Sequence, residues 1–241
     1  MLKQILYSAV FALAALPSAA HAEENGRKTS KPVRIGIIGT GDIGGALARH
    51  WGNAGHELLI SSRHPERLQA LAREIGPNVK VGTPREAAAF GTVVLVSVPY
   101  HATAQVGRDY ANELRGKVVL DTGNPYPSRD GEMAVRDRQR GTGVASKEYL
   151  PGTKLVRAFN AINAVPLANE AFRKPERIGI PLASDHEDAL RVASQLVTDA
   201  GFDPVIVGDL SRAREFDFGT DVYVRSYSAA KIREMLGLKV K

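Results

Sequence analysis

The 241-residue chain has no cysteine, which excludes disulfides, a thiolate nucleophile and any Cys-ligated metal. Such a chain is safe in an oxidising compartment without being tied to one. Aromatic residues are scarce, 6% with a single tryptophan, and no aromatic-rich basic patch marks a nucleic-acid surface. The 32 Lys and Arg exceed 26 acids, but the two signs are interspersed. The formal charge of +6 therefore reads as a solvated basic surface rather than a nucleic-acid face. No mature segment approaches the ~20 apolar residues of a bilayer span. What remains, 44% hydrophobic and 24% charged, suits a soluble globular protein with ample length for a core.

The first 22 residues carry one cation, Lys3, an apolar stretch over 5–16, and small residues at Ala20 and Ala22. This is the pattern of a cleavable secretory signal peptide, 1–22. The apolar run is too short for a transmembrane anchor, and a lipoprotein would need a cysteine at the cleavage point. Export, to the periplasm, is the expected destination. Residues 23–32 are polar and charged, a flexible lead-in, and 33–241 are expected to form one domain with a short C-terminal extension.

The chain is organised around 33–48, V-R-I-G-I-I-G-T-G-D-I-G-G-A-L-A. A buried-strand run leads into Gly39, Gly41 and Gly44 in the order G-x-G-x-x-G, and an Ala/Leu-rich helical pattern follows. Such a strand, loop and helix forms a dinucleotide site: Gly39 makes the tight turn, Gly41 lets backbone approach a pyrophosphate, and Gly44 lets the helix pack on the strand. The diphosphate would sit on the free amides and positive dipole of the helix N-terminus. Asp42 is discordant beside a phosphate unless it points outward; the helix dipole favours the same acid without any ligand.

Further strands are expected at 57–61, 78–81, 92–98, 117–121, 154–159, 177–182 and 204–207. Pro65 opens a helix that Gly76 ends, and Thr83 caps another with Pro84 at its first position. Two more helical patterns, E-D-A-L-R-V-A-S-Q-L-V-T-D-A and S-A-A-K-I-R-E-M-L, occupy the second half. Continuous apolar strands are covered on both faces, so the fold class is α/β, a doubly wound, mostly parallel sheet of Rossmann type in a single domain.

The end of the second strand selects the nucleotide. A site of this type for NAD carries Asp or Glu about 20 residues after the glycines; here stand Ser61, Ser62 and Arg63, with Arg67 one helical turn on. Hydroxyls and a rigid guanidinium fork suit a 2′-phosphate, so NADP is the expected cofactor. Asn124 and Asn160, after the fifth and sixth strands, are placed to hydrogen-bond the nicotinamide ribose or amide, or simply to shape turns. Tyr100 reads as core packing against the next helix, with stacking on a ring as the rarer reading, and His101 as a helix-start residue with a proton shuttle as the rarer reading.

The strings I-G-I-I-G-T-G-D-I-G, G-H-E-L-L-I-S-S-R, V-V-L-V-S-V-P-Y, L-D-T-G-N-P and L-V-R-A-F-N resemble the family of NADP oxidoreductases dependent on the deazaflavin coenzyme F420. The resemblance runs from 33 to near 210, and the segment 209–227 does not align. It implies that Thr40, Gly41, Asp42 and Ile43 cradle the pyrophosphate, that Ser62 and Arg63 hold the 2′-phosphate, and that Val98 and Pro99 flank the nicotinamide. The chain is also similar to the NADPH-binding part of membrane metalloreductases, which passes hydride to a flavin, and to the NADP-binding part of pyrroline-5-carboxylate reductases. The implied activity is hydride transfer between NADPH and a small-molecule redox acceptor, a deazaflavin or flavin, with no metal. Because the cofactors carry that chemistry, no catalytic side chain is nominated. A ferric or flavin reductase, a non-catalytic exported NADP-binding protein and a homodimer remain open at this point. A dehydrogenase of small imino or hydroxy acids would need a long helical domain, for which 209–241 is too short.

Overall fold

A computed structural model describes residues 31–239. The expected signal peptide, 1–22, and all but the end of the 23–32 lead-in lie outside the described residues.

The apolar strands assemble as expected into one sheet of eight, in the order β3-β2-β1-β4-β5-β6-β7-β8. β1 (Arg34–Ile38), β2 (Glu57–Ser61), β3 (Val79–Gly82), β4 (Val93–Val96), β5 (Val118–Asp121) and β6 (Lys154–Arg157) run parallel. The chain order reverses between β1 and β4, which is the switch point where ligands of open α/β sheets bind. β7 (Gly179–Ala183) meets β6 antiparallel, through the pair Arg157 and Ala183, and pairs in parallel with β8 (Asp203–Gly208). The last two strands thus run against the first six, a departure from a wholly parallel sheet.

One face is covered by α1 (Asp42–Asn53), α2 (Gln69–Ile75), α8 (Ala164–Asn169) and α9 (Glu187–Asp199). Its core holds Trp51, Phe159 and Phe202, all at most 1% exposed. The Trp51 indole donates to the Leu196 carbonyl at 2.8 Å, so its one polar atom is satisfied where it is buried. Truncating such a ring costs about 3–5 kcal/mol. The opposite face packs α3 (Pro84–Phe90), α4 (Thr103–Asp109) and α5 (Ala111–Leu114). Thr83 and Glu86 form the reciprocal cap of α3, with Pro84 at its first position. The helix opened by Pro65 begins as a 3-10 turn, Pro65–Leu68, before α2. Two helices without a sequence expectation, α6 (Pro127–Arg140) and α7 (Thr142–Tyr149), follow β5. After β8 a 3-10 segment, Leu210–Glu215, leads to α10 (Ala229–Met235), and the residues between wrap a third apolar cluster around Phe216 and Val222. Among the described residues no helix is long and apolar enough to cross a membrane.

Candidate functional site

The glycine loop joins β1 to α1 at the C-terminal edge of the parallel strands. Gly39 has φ +96°, and a Cβ there would lie 2.2 Å from the Ser97 carbonyl oxygen and 3.0 Å from the Val98 side chain, so only glycine makes this turn. A Cβ on Gly44 would lie 2.1 Å from the Gly39 carbonyl oxygen, which sets the approach of α1 to the loop. Gly41 differs: no protein atom lies within 4 Å of a Cβ built on it. Its smallness serves no packing inside the described protein and leaves an open face above the helix start. The amides of Gly41, Asp42 and Ile43 meet no acceptor among the described residues, as befits a helix N-terminus awaiting an anion. Asp42 is exposed in that first turn.

Thr40 is engaged differently. Its amide and that of Gly39 donate to the Ser61 carbonyl at 3.1 Å, and its Oγ1 donates to the same oxygen at 3.0 Å. The turn is thereby locked to the end of β2. Ser61, read as one of two hydroxyls for a phosphate, is fully buried and its hydroxyl donates to the Ile37 carbonyl at 2.7 Å; it ties strands together and is not a ligand group. Ser62 Oγ accepts from the His64 amide at 3.0 Å, shaping the loop that presents Arg63. Arg63 and Arg67 are exposed, and neither guanidinium has a hydrogen bond or ion pair among the described residues.

Val98 and Pro99 lie where β4 ends, with Val98 against the Gly39 turn. Asn124 and Asn160 meet: Asn124 Nδ2 donates to the Asn160 carbonyl at 2.8 Å and to the Tyr223 hydroxyl at 3.4 Å. The Asn160 amide nitrogen donates to Phe216 and Asp217, each at 3.4 Å. The Oδ1 atoms of both asparagines are buried without a partner among the described residues, which leaves two acceptors for a donor such as a carboxamide. Phe159, just before Asn160, is buried with φ +58°. A left-handed non-glycine residue costs about 1–3 kcal/mol, and such strain clusters at ligand sites.

The unaligned segment closes this region. Arg157 is fully buried; one Nη donates to Asp121 Oδ2 at 2.8 Å and the Gly123 carbonyl at 2.7 Å, the other to Asp217 Oδ1 at 3.1 Å. Asp217 also accepts from the Thr142 amide at 3.1 Å. Beside it, the Phe218 ring packs edge-on against Tyr126 at 5.0 Å and Tyr223 at 5.4 Å, and the two tyrosine hydroxyls are 2.6 Å apart. Burial, reinforced by the Tyr126 hydrogen bond, pushes the Tyr223 phenol up, so it stays neutral. Arg157, Asp217, Tyr126 and Tyr223 were not anticipated; an arginine inside the apolar strand L-V-R-A was the one signal of a buried charge in need of carboxylates.

Tyr100 is fully buried, as expected, with its hydroxyl 3.4 Å from Asp137 Oδ2. His101 stands half exposed beside it, its Nδ1 2.7 Å from Asp130 Oδ1. Taken together, an anion-ready helix start, two unpaired guanidiniums at the end of β2 and two orphaned amide oxygens beyond β5 and β6 fit a phosphorylated dinucleotide. They define the class, a dinucleotide-binding α/β protein.

The sequence model of the family described as NADP oxidoreductase, coenzyme F420-dependent, matches residues 34–125. The F420-dependent NADP reductase of Methanothermobacter thermautotrophicus is 32% identical over 196 residues, 76% of this chain and 84% of that protein. Metalloreductase STEAP3 of Rattus norvegicus is 27% identical over 191 residues, 76% of this chain but 36% of that protein. A solved structure, hypothetical protein SMa0349 from Sinorhizobium meliloti, superposes with a TM-score of 0.70 at 28% identity, covering 82% of this chain and 94% of its own. The chain belongs to the F420-dependent NADP oxidoreductase family. It is accordingly an NADP-dependent oxidoreductase.

Proposed function

We propose that this enzyme transfers hydride between NADPH and a deazaflavin or flavin acceptor. The amides of Gly41, Asp42 and Ile43 take the pyrophosphate in the cradle shaped by Gly39, Thr40 and Gly44. Ser62, Arg63 and Arg67 take the 2′-phosphate, Val98 and Pro99 flank the nicotinamide, and Asn124 with Asn160 receive its carboxamide or ribose. NADPH, once bound, supplies the hydride; the protein aligns the two rings and excludes water between them.

The observation that carries this reading is the end of β2, where two unpaired guanidiniums stand in place of a ribose-binding carboxylate. A charge-assisted hydrogen bond contributes about 1.5–3 kcal/mol, or about 10- to 100-fold in affinity. Calorimetry with NADPH and NADH tests it. NADPH should bind at least tenfold tighter than NADH, and Arg63→Ala should lose most of that preference. Equal binding of both nucleotides, or of neither, would refute it. A screen of coenzyme F420, FMN and ferric chelates as acceptors then separates the deazaflavin, flavin and ferric readings.

A further inference from the structure

Where β4 ends, a histidine and a buried carboxylate form a pair that nucleotide binding does not use. His101 lies two residues beyond Pro99, in the turn Tyr100–Ala102. Its Nδ1 is 2.7 Å from Asp130 Oδ1, and its amide donates to the same oxygen at 3.3 Å. The His101 side chain is 52% exposed and that of Asp130 0%. Asp130 is held from two further sides. Its Oδ2 accepts from the Tyr126 amide at 2.9 Å, and the Arg129 guanidinium donates to both carboxylate oxygens at 2.8–2.9 Å. The same guanidinium donates to the Asn124 carbonyl at 2.8 Å. The pair is therefore braced against the loop that carries Asn124.

Burial alone would raise the Asp130 carboxyl, but the hydrogen bonds from Arg129, the Tyr126 amide and His101 hold it well below the usual carboxylate range. A carboxylate that stays charged accepts only, so the ring nitrogen facing it, Nδ1, carries a proton. Nε2 is left pointing away from the carboxylate on a ring half open to solvent. A fixed Nδ1–H and an open Nε2 is the arrangement of an oriented proton carrier.

We propose that His101, oriented by Asp130, delivers the proton that accompanies hydride transfer. This inference rests on the hydride-transfer reading above. A flavin-type acceptor that takes hydride, with its electron pair, at one ring atom also takes one proton at a ring nitrogen. NADPH is oxidised to NADP and the acceptor is reduced. Water at the exposed edge of the ring first protonates the open Nε2, and that proton then passes from Nε2 to the acceptor nitrogen. The N–H electron pair stays on the imidazole, which returns to its Nδ1–H form against Asp130. His101 is the donor and Asp130 the positioning residue.

The test is His101→Asn, whose Nδ2 can replace Nδ1 as the donor to Asp130 while nothing replaces Nε2. NADPH binding by calorimetry should match the parent, showing an intact cradle. NADPH oxidation with FMN or coenzyme F420 should fall about 100-fold, the scale of general acid catalysis. Imidazole added to the buffer should restore rate to the variant and leave the parent unchanged. In the parent without NADPH, long-range proton–nitrogen NMR should show His101 protonated at Nδ1, with its Nε2 signal moving when FMN is added. Equal rates, a loss that imidazole does not rescue, or a neutral ring that carries its single proton on Nε2 instead of Nδ1 would overturn the proposal and leave the oxidoreductase reading standing. A parent that binds NADPH yet reduces neither acceptor would instead overturn the hydride-transfer reading and the proposal with it.

Discussion

Replacing Arg157 by methionine should detach the C-terminal segment from the sheet and destabilise the whole domain. The guanidinium is fully buried and links three parts of the chain: Asp121 and Gly123 at the end of β5, its own strand β6, and Asp217 beyond β8. Methionine fills a similar volume, so the cavity cost is small and the loss is electrostatic. Asp121, 0% exposed in its side chain, would keep the Gly123 amide at 2.8 Å as donor but lose the cation. The Gly123 carbonyl would lose its donor as well. A buried acceptor without a partner costs about 1–3 kcal/mol, and breaking a buried pair from one side costs about 3–5 kcal/mol. The larger figure applies here, because two carboxylates share one cation. Against a total stability of about 5–15 kcal/mol, that is a fifth or more of the margin. Urea unfolding read by Trp51 fluorescence would measure the loss, and limited proteolysis would show whether cleavage concentrates after Gly208. A loss below about 1 kcal/mol with an unchanged digestion pattern would refute the view that Arg157 holds the segment.

Two glycine variants should separate packing from ligand binding. Gly44→Ala places a methyl 2.1 Å from the Gly39 carbonyl oxygen and should lower stability by about 1–3 kcal/mol, whereas Gly41→Ala meets no protein atom and should leave the urea midpoint unchanged while NADPH affinity falls at least tenfold. Loss of stability in Gly41→Ala, or retained affinity, would count against an open phosphate face. Stability should also fall on mild acidification through His56. Its Nδ1 accepts the Val33 amide at 3.1 Å and its Nε2 lies 3.1 Å from Asp199 Oδ2, so the folded ring carries its proton on Nε2 alone. Burial lowers the His56 pKa despite Asp199. The folded state therefore resists a proton that the unfolded chain accepts, and stability is full above about pH 6.5. It declines as pH falls below that, by up to about 1.4 kcal/mol per pH unit for one group. Urea midpoints that do not change between pH 7.5 and 5.5 would refute this.

Most of the nucleotide half was legible because its signals are local. The strands at 33–38, 57–61 and 92–98 are mostly apolar runs, Thr83-Pro84 announces a helix start, and the glycine spacing prescribes a loop whose clashes at Gly39 and Gly44 the structure shows atom by atom. The region 127–149 was not legible, because α6 is not held by an apolar stripe. Its anchors are polar: Asp130 receives His101 and the Tyr126 amide, and Asp137 receives Tyr149 Oη at 2.6 Å. Gly131, at φ +63°, further breaks the helical period. Such a helix has no 3.6-residue hydrophobic signature to read. The reversal of β7 and β8 was equally silent, since strand direction is set by the connection from β6 and not by the residues R-I-G-I-P-L themselves.

Those two unread features meet at the site. The reversal leaves β8 beside β7 at the sheet edge, and the chain beyond it returns to place Asp217 on Arg157 and Tyr223 on Asn124. The polar helix α6 starts three residues after Asn124 and sets Asp130 under His101. The contacts join residues distant in sequence: Asn124 is 99 positions from Tyr223, and Arg157 is 60 from Asp217. The glycine loop and the arginines at the end of β2 are thus set by short-range sequence, while the cluster around Asn124 and Asn160 is built from long-range polar contacts. That division explains why the first half of the chain is legible in the sequence and the cluster beyond β5 is not: 124–130 and 209–227 are brought together only by the folded sheet.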